Sequence, residues 1–367
     1  MILMIIIGIS RVLLLALVAA GALVALVLIA GFLYQFLGGL RDRKRLRTSG
    51  RLVPIGNRRC LYLVEKGPAP NSNYGRPTVV FESGFGATSL NWTHIQDALA
   101  DQVHTVAYDR CGLGWSSPCR SERTPEHVAS ELHALLLAAR MQPPWILVGH
   151  SFGGLVMQRF ALDHPAETAA VLLIDPMRPI EWPPFNAAAD ARIARAQRLT
   201  RIGGICARIG LTRLAARSHF CRSARLSGAL IRRAGKQGAY LADRLNTEIG
   251  KMPAEVRPSI AAHWSAPRFY RGLLAHLRAV SCTAAAMYDP DPIRNTPVVL
   301  LIPAGAEPMA NLHQYGPESR QIIAEQSLHW IHLDEPDLVI RTILDLVAQS
   351  RSETRDRRTV STLAFGD

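Results

Sequence analysis

At 367 residues the chain has room for a membrane segment and one sizeable α/β domain. Its formal net charge of +13 would suggest a nucleic-acid partner if it were spread over one surface. Instead, residues 190–236 carry +11 and residues 41–51 carry +5, leaving the remainder at −3. No zinc-finger spacing or RNA-binding signature accompanies either run, so nucleic-acid binding is set aside. The cysteines, Cys60, Cys111, Cys119, Cys206, Cys221 and Cys282, have no metal-ligand spacing, and neither metal nor cofactor is expected. Cys111 with Cys119 and Cys206 with Cys221 could pair in an oxidising compartment; unpaired small residues are the equal alternative.

Residues 12–37 contain no charge over 26 positions, long enough to span a bilayer with some tilt. The stretch is too long for a signal peptide and no small-x-small site follows it, so an uncleaved anchor over 1–40 is expected. Only Arg11 precedes the span, while RDRKRLR follows at once, so the positive-inside rule puts the following domain in the cytoplasm. Residues 41–51 then read as a basic juxtamembrane segment.

Arg51 to Lys66 reads as a hairpin with Gly56-Asn57 near its turn. Buried strands are expected at Thr78–Phe81, Val103–Tyr108, Ala170–Ile174 and Val298–Ile302, with a last short strand before His329. Pro125 to Met141 is an amphipathic helix, with Val128, Leu132, Leu135 and Leu136 on one face. Leu338 to Val347 reads as the closing helix. Strands alternating with helices imply a parallel sheet covered on both faces. The core is thus expected over 52–176 and 296–348. Between them, residues 177–295 read as a basic helical cap, with Leu199, Ile202, Ile205 and Ile209 facing the active site and the arginines outward, on solvent or on anionic headgroups. Residues 349–367 are polar and read as a disordered tail.

The stretch Trp145–Gly154, WILVGHSFGG, stands apart. Ile146, Leu147 and Val148 suit a buried strand, Gly149, Ser151 and Gly153 form G-x-S-x-G, and LVMQRFALDH continues as a helix that Pro165 ends. In that context the serine sits on a tight strand-to-helix turn with strained dihedrals, its Oγ exposed beside a helix N-terminus. A serine hydroxyl is a poor nucleophile until a base takes its proton, and the oxyanion it creates needs two N–H donors. One donor is expected at Phe152, immediately after the serine.

Four pieces, SGFG at 83–86, YDRCGLGWS at 108–116, GHSFGG and LHWIHLDEP at 328–336, stand in the order and spacing of the α/β-hydrolase fold, which residues 52–348 resemble. The resemblance implies an eight-stranded, mostly parallel sheet flanked by helices, a cap after the sixth strand, and Ser–acid–His catalysis. It nominates His329 as base and the backbone of Phe85 as the second oxyanion donor. Ser83 stands where the family usually carries a histidine, which puts the support of that loop in doubt. Asp109 and Arg110 are expected to fix the fourth loop rather than to react. The acid stays open between Asp175, directly after strand six as in haloalkane dehalogenases, and Glu307, in the family's commoner place after strand seven. Asp175 is preferred, because an aspartate ending an apolar strand needs a specific partner.

The resulting expectation is a membrane-anchored serine hydrolase that cleaves an ester-type bond, of lipid or thioester kind, in a small hydrophobic substrate. A serine in the elbow argues against the dehalogenase and epoxide hydrolase chemistry for which the family uses an aspartate. Perhydrolase or carbon–carbon hydrolase activity would use the same triad, and a non-catalytic scaffold binding at the membrane is the alternative of another class. Oligomeric state is not legible.

Overall fold

The computed structural model describes residues 2–46, 50–68, 77–119, 121–220, 250–306 and 312–364. Helix α1 (Ile2–Arg45) is followed by β1 (Arg51–Pro54) and β2 (Cys60–Lys66), an antiparallel hairpin closed around Gly56, Asn57 and Arg58, all at positive φ. Next come β3 (Thr78–Glu82), α2 (Thr93–Leu99), β4 (Thr105–Asp109), α3 (Pro125–Ala138), β5 (Trp145–His150), α4 (Phe152–Asp163) and β6 (Thr168–Ile174). The cap supplies α5 (Ala187–Arg208), α6 (Leu211–Phe220), α7 (Arg257–Ser265) and α8 (Pro267–Ala286). The chain returns through β7 (Val298–Pro303) and β8 (Ser319–Ala324) and closes with α9 (Pro336–Ala364).

The eight strands form one sheet in the order β1-β2-β4-β3-β5-β6-β7-β8. Pairing is antiparallel from β1 through β2 to β4 and parallel across every other neighbour. Central strands β3, β4 and β5 are buried along their whole length, as sheets covered on both faces require. One face packs on α3 and α4 through Leu132, Leu136, Val156 and Phe160; the other packs on α2 and α9 through Ile95, Leu99, Val339 and Ile343. All parallel strands therefore point their carboxyl ends toward one edge, and the loops that matter gather there.

Three expectations change. First, α1 does not stop before the basic run but continues through it to Arg45, because nothing between Leu40 and Arg45 breaks a helix and cations suit its C-terminus. Second, the polar stretch after Gln349 is helical to Ala364 rather than a disordered tail; it holds no proline or glycine. Third, Leu199, Ile202 and Ile205 are exposed instead of facing the site. Helix α5 buries Ala189, Ile193, Thr200 and Ala207, while Gly203 and Gly204 lie against the Tyr270 side chain of α8. Close backbone approach at the two glycines, together with Ile193, decides which face goes inward.

The cap also grips α1. Gly31 approaches the carbonyl of Ile209 so closely that no side chain fits, and Arg213 lies against Gly38. Arg213 Nε donates to Gln35 Oε1 at 3.0 Å, and its Nη1 pairs with Asp42 Oδ2 at 2.6 Å. Gly31, Gln35, Gly38 and Asp42 fall at helical spacing along one side of α1. Cys60, Cys111, Cys119, Cys206 and Cys282 are free thiols; Cys221 lies outside the described residues.

Candidate functional site

Ser151 sits at φ 55° and ψ −119°, between the last residue of β5 and the first of α4. Its N–H donates to Ile174 O at 3.0 Å, and its carbonyl accepts from Gly154 N at 2.9 Å and Met177 N at 3.1 Å. Those bonds hold a non-glycine residue in a conformation that costs about 1–3 kcal/mol when unsupported. The turn also needs Gly153: a Cβ there would stand 2.5 Å from Glu82 O and 2.8 Å from Ser83 O. Phe152 opens α4, so its N–H belongs to the set that no helical carbonyl satisfies.

β5 and β6 pair through His150 and Ile174, so the residues that follow, Ser151 and Asp175, leave adjacent strand ends together. Asp175 is also at positive φ, 39°, fixed by its N–H to Leu301 O at 2.8 Å. Its Oδ2 lies 2.6 Å from His329 Nδ1, so the structure brings the expected base and the preferred acid into direct contact. The other acid considered, Glu307, lies outside the described residues. His329 follows β8 in a loop pinned by Glu335, whose Oε1 accepts from Gln326 N at 2.8 Å and Ser327 Oγ at 2.7 Å. His150, next to Ser151, meets the carbonyl of His329 through Nε2 at 2.8 Å.

The loop after β3 carries Phe85, whose ring packs 4.6 Å from that of Phe152. Ser83 proves an adequate occupant of its position: its Oγ donates to Thr88 O at 2.9 Å and accepts from Trp92 Nε1 at 3.0 Å. Arg110 provides the firmer support. From the end of β4 it donates to Ser83 O at 2.6 Å, to Gly84 O, and to Glu82 Oε1 at 3.0 Å. Both members of the Arg110–Glu82 pair are only 1% exposed, and Tyr108 Oη donates to the second Glu82 oxygen. Burial pushes the Glu82 carboxyl above the usual carboxylate range, with Arg110 and the Tyr108 hydroxyl pulling it back. Asp109 fixes the fourth loop, its Oδ1 accepting from Ser89 N and Oγ and its Oδ2 from Trp115 N.

Two participants went unread in the sequence. Glu82 ends an apolar strand just as Asp175 does, and the same argument about a costly buried acid would have singled it out. His276, on cap helix α8, is fully buried with its ring edge-on to Phe85 and Phe152, at 6.1 and 5.4 Å. Its Nδ1 bonds Gly272 O, and burial beside Arg110 and Arg123 holds it well below the ordinary histidine range.

A different cluster, His133, His164 and Glu167, groups its donor atoms within 4.8 Å. It sits where α4 ends and β6 begins, away from the carboxyl edge. The two imidazoles stack at 3.8 Å and 10°, so their in-plane lone pairs do not converge on one point, and Glu167 bonds His133 Nε2 at 2.7 Å. This is a stacked, hydrogen-bonded arrangement rather than a coordination site.

Two outcomes follow from these buried charges. Arg110→Met should lower unfolding stability by about 3–5 kcal/mol in denaturant titrations, because Glu82 is left buried and unpaired; adding Glu82→Leu should recover much of the loss. His332 is buried with both ring nitrogens unbonded and its ring on Trp92, and burial lowers its pKa to about 3 from 6.5. A depressed folded pKa means that the unfolded chain takes the proton first, so stability is complete above about pH 6.5 and falls as pH drops from there toward about 3. Thermal melts at about pH 7 and about pH 5 should show a smaller decline for His332→Phe than for the native chain.

A family model described as alpha/beta hydrolase fold matches residues 77–256. YqjL of Bacillus subtilis is 34% identical over 99 residues, 27% of this chain and 39% of its own length. A 1-acylglycerol-3-phosphate O-acyltransferase of Arabidopsis thaliana is 34% identical over 122 residues, 32% of this chain and 28% of its own. The chain thus spans well under half the length of either relative. The crystal structure of Cfl2 from Burkholderia cenocepacia superposes with a TM-score of 0.60 at 22% identity, covering 81% of this chain and 95% of that one. With the sheet order and the strand–serine–helix turn, these matches establish that the chain has the α/β-hydrolase fold.

Proposed function

We propose that this protein is a membrane-anchored serine hydrolase, cleaving an ester-type bond of a small hydrophobic substrate through an acyl-enzyme. The observation that carries this reading is the 2.6 Å contact between His329 Nδ1 and Asp175, on the strand beside the one that turns into Ser151. In the proposed reaction Asp175 holds the imidazole through Nδ1, leaving Nε2 to act as base. Ser151 Oγ attacks the acyl carbonyl carbon, its proton passes to Nε2, and the carbonyl electron pair moves onto oxygen. The backbone N–H groups of Phe152 and Phe85 would stabilise that oxyanion. Collapse expels the alcohol or thiol, which takes the proton from Nε2. Water then attacks the acyl-enzyme with His329 again as base, releasing the acid and restoring Ser151.

Support for an apolar acyl group comes from Phe85, Phe152 and the half-buried Trp182, whose rings gather beside the elbow. The named activity of the Arabidopsis relative, acyl transfer on a glycerolipid, points the same way. The apolar run of α1, largely exposed from Val12 to Leu37, supports an anchor, and the cations that follow support a cytoplasmic domain.

A fluorophosphonate probe should label the full-length protein and fail to label Ser151→Ala; a folded native chain that takes no probe would overturn the assignment. Asp175→Asn should reduce kcat/KM on a chromogenic acyl ester by about 10⁴-fold, as loss of the orienting carboxylate does in triads. For topology, a C-terminal fluorescent fusion that matures only in the cytoplasm should be bright, and one active only after export silent. The reverse pattern would place the domain on the other side.

A further inference from the structure

A cavity distinct from the surroundings of Ser151 opens elsewhere in the molecule. It lies between the end of α1, the cap and the loops after β3 and β4, with a volume of about 380 Å³, within the range of small-molecule sites. One wall is apolar and comes from α1 itself: Phe32, Phe36 and Leu40, continuous with the exposed apolar run that precedes them. The facing wall is cationic. Arg268, at the start of α8, lines the cavity half-buried, its guanidinium 5.3 Å from the Trp115 ring. Among the described residues it makes no hydrogen bond or ion pair. The same holds for Arg43, Arg208 and Arg271, which also line the space.

The remaining charged groups do not cancel this excess. Arg213 is taken up by Asp42 and Gln35. Asp109 is engaged by Ser89 and Trp115, and it is the one acid that acts on Arg268. His263 is held neutral by burial beside Arg268. Burial and the neighbouring Arg43 depress the Arg268 pKa to about 10, with Asp109 pulling it back only in part. A chamber with an acyl-compatible wall on α1, the uncommitted guanidinium groups of Arg208, Arg268 and Arg271 on the cap side, and Arg43 at the basic end of the helix matches one kind of molecule. That molecule carries hydrocarbon and a phosphate on the same skeleton.

We infer that this chamber binds an anionic phospholipid of the surrounding bilayer, its acyl chain along Phe32, Phe36 and Leu40 and its phosphate on Arg268. The inference rests on α1 being a bilayer helix but not on the hydrolase chemistry, since the cavity does not include Ser151. The lipid would join three parts that meet there: anchor, cap and the β4 loop. The cavity's position beside the basic end of α1 puts the phosphate at headgroup level and the chain toward the apolar run.

The test uses full-length protein in phosphatidylcholine nanodiscs containing phosphatidylglycerol with a photoreactive acyl chain, with cross-linked peptides mapped by mass spectrometry. Cross-links are expected in the peptides containing Phe36, Trp115 and Pro267, reduced about tenfold in Arg268→Gln. Unlabelled phosphatidylglycerol should compete, whereas phosphatidylcholine and inorganic phosphate should not. Equal competition by phosphatidylcholine would reduce the chamber to an apolar groove, and competition by phosphate alone to a small-anion site; either result overturns the inference. So would cross-links confined to residues 12–30 and indifferent to Arg268→Gln. Arg268→Lys, which keeps the charge, should retain part of the yield if folding is intact. Alkaline carbonate extraction reports separately on the anchor: release of the protein from membranes would refute the bilayer helix, whereas retention without cross-links at the chamber would refute the lipid site alone.

Discussion

The site depends on one backbone conformation. Ser151 is held at φ 55° by three main-chain hydrogen bonds, one to β6 and two from the start of α4 and its neighbour loop. Relaxing that residue would rotate Oγ away from the carboxyl edge and realign α4 against the sheet. The same condition recurs one strand over, where Asp175 is also at positive φ and is fixed by β7. Two adjacent strands thus end in strained non-glycine residues, and both strains are held by ladder-type bonds of the central sheet. The rigid parallel core is what makes such positions tolerable.

The second dependence is electrostatic. The loop after β3 is positioned by a guanidinium that reaches from β4 to two successive carbonyls of that loop. Arg110 is buried there against the Glu82 carboxylate, whose second oxygen accepts from the Tyr108 hydroxyl. The loop is held by the small Ser83, bonded to Thr88 and Trp92, and by this ion pair. A buried pair of this kind adds little net stability, but it defines one geometry, since neither partner has another place to go.

Much of this was legible in the sequence where the signal is local. G-x-S-x-G between a β-branched strand and a helix, an aspartate closing an apolar strand, and a histidine beyond the last strand are all short-range patterns. The Arg110–Glu82–Tyr108 group was not, because Glu82 lies 26 and 28 positions from Tyr108 and Arg110 and meets them only through the register of β3 with β4. The cap was misread for a related reason. Periodicity shows that α5 has two faces, but not that Gly203 and Gly204 admit Tyr270 and so turn Ile202 and Ile205 outward. His276 carries no sequence signal at all, since its position opposite Phe152 depends on how α8 crosses the core.

The grip of Arg213 on α1 changes what a moving cap would mean here. A cap resting only on the core can swing open by exchanging a few side-chain contacts for water. This one is also joined to Gln35 and Asp42 of a 44-residue helix. Any displacement must either break a largely buried ion pair or carry the helix with it. Cap and helix therefore move as one body, and it is the eight-stranded sheet that would have to shift against them for the space beside Ser151 to widen.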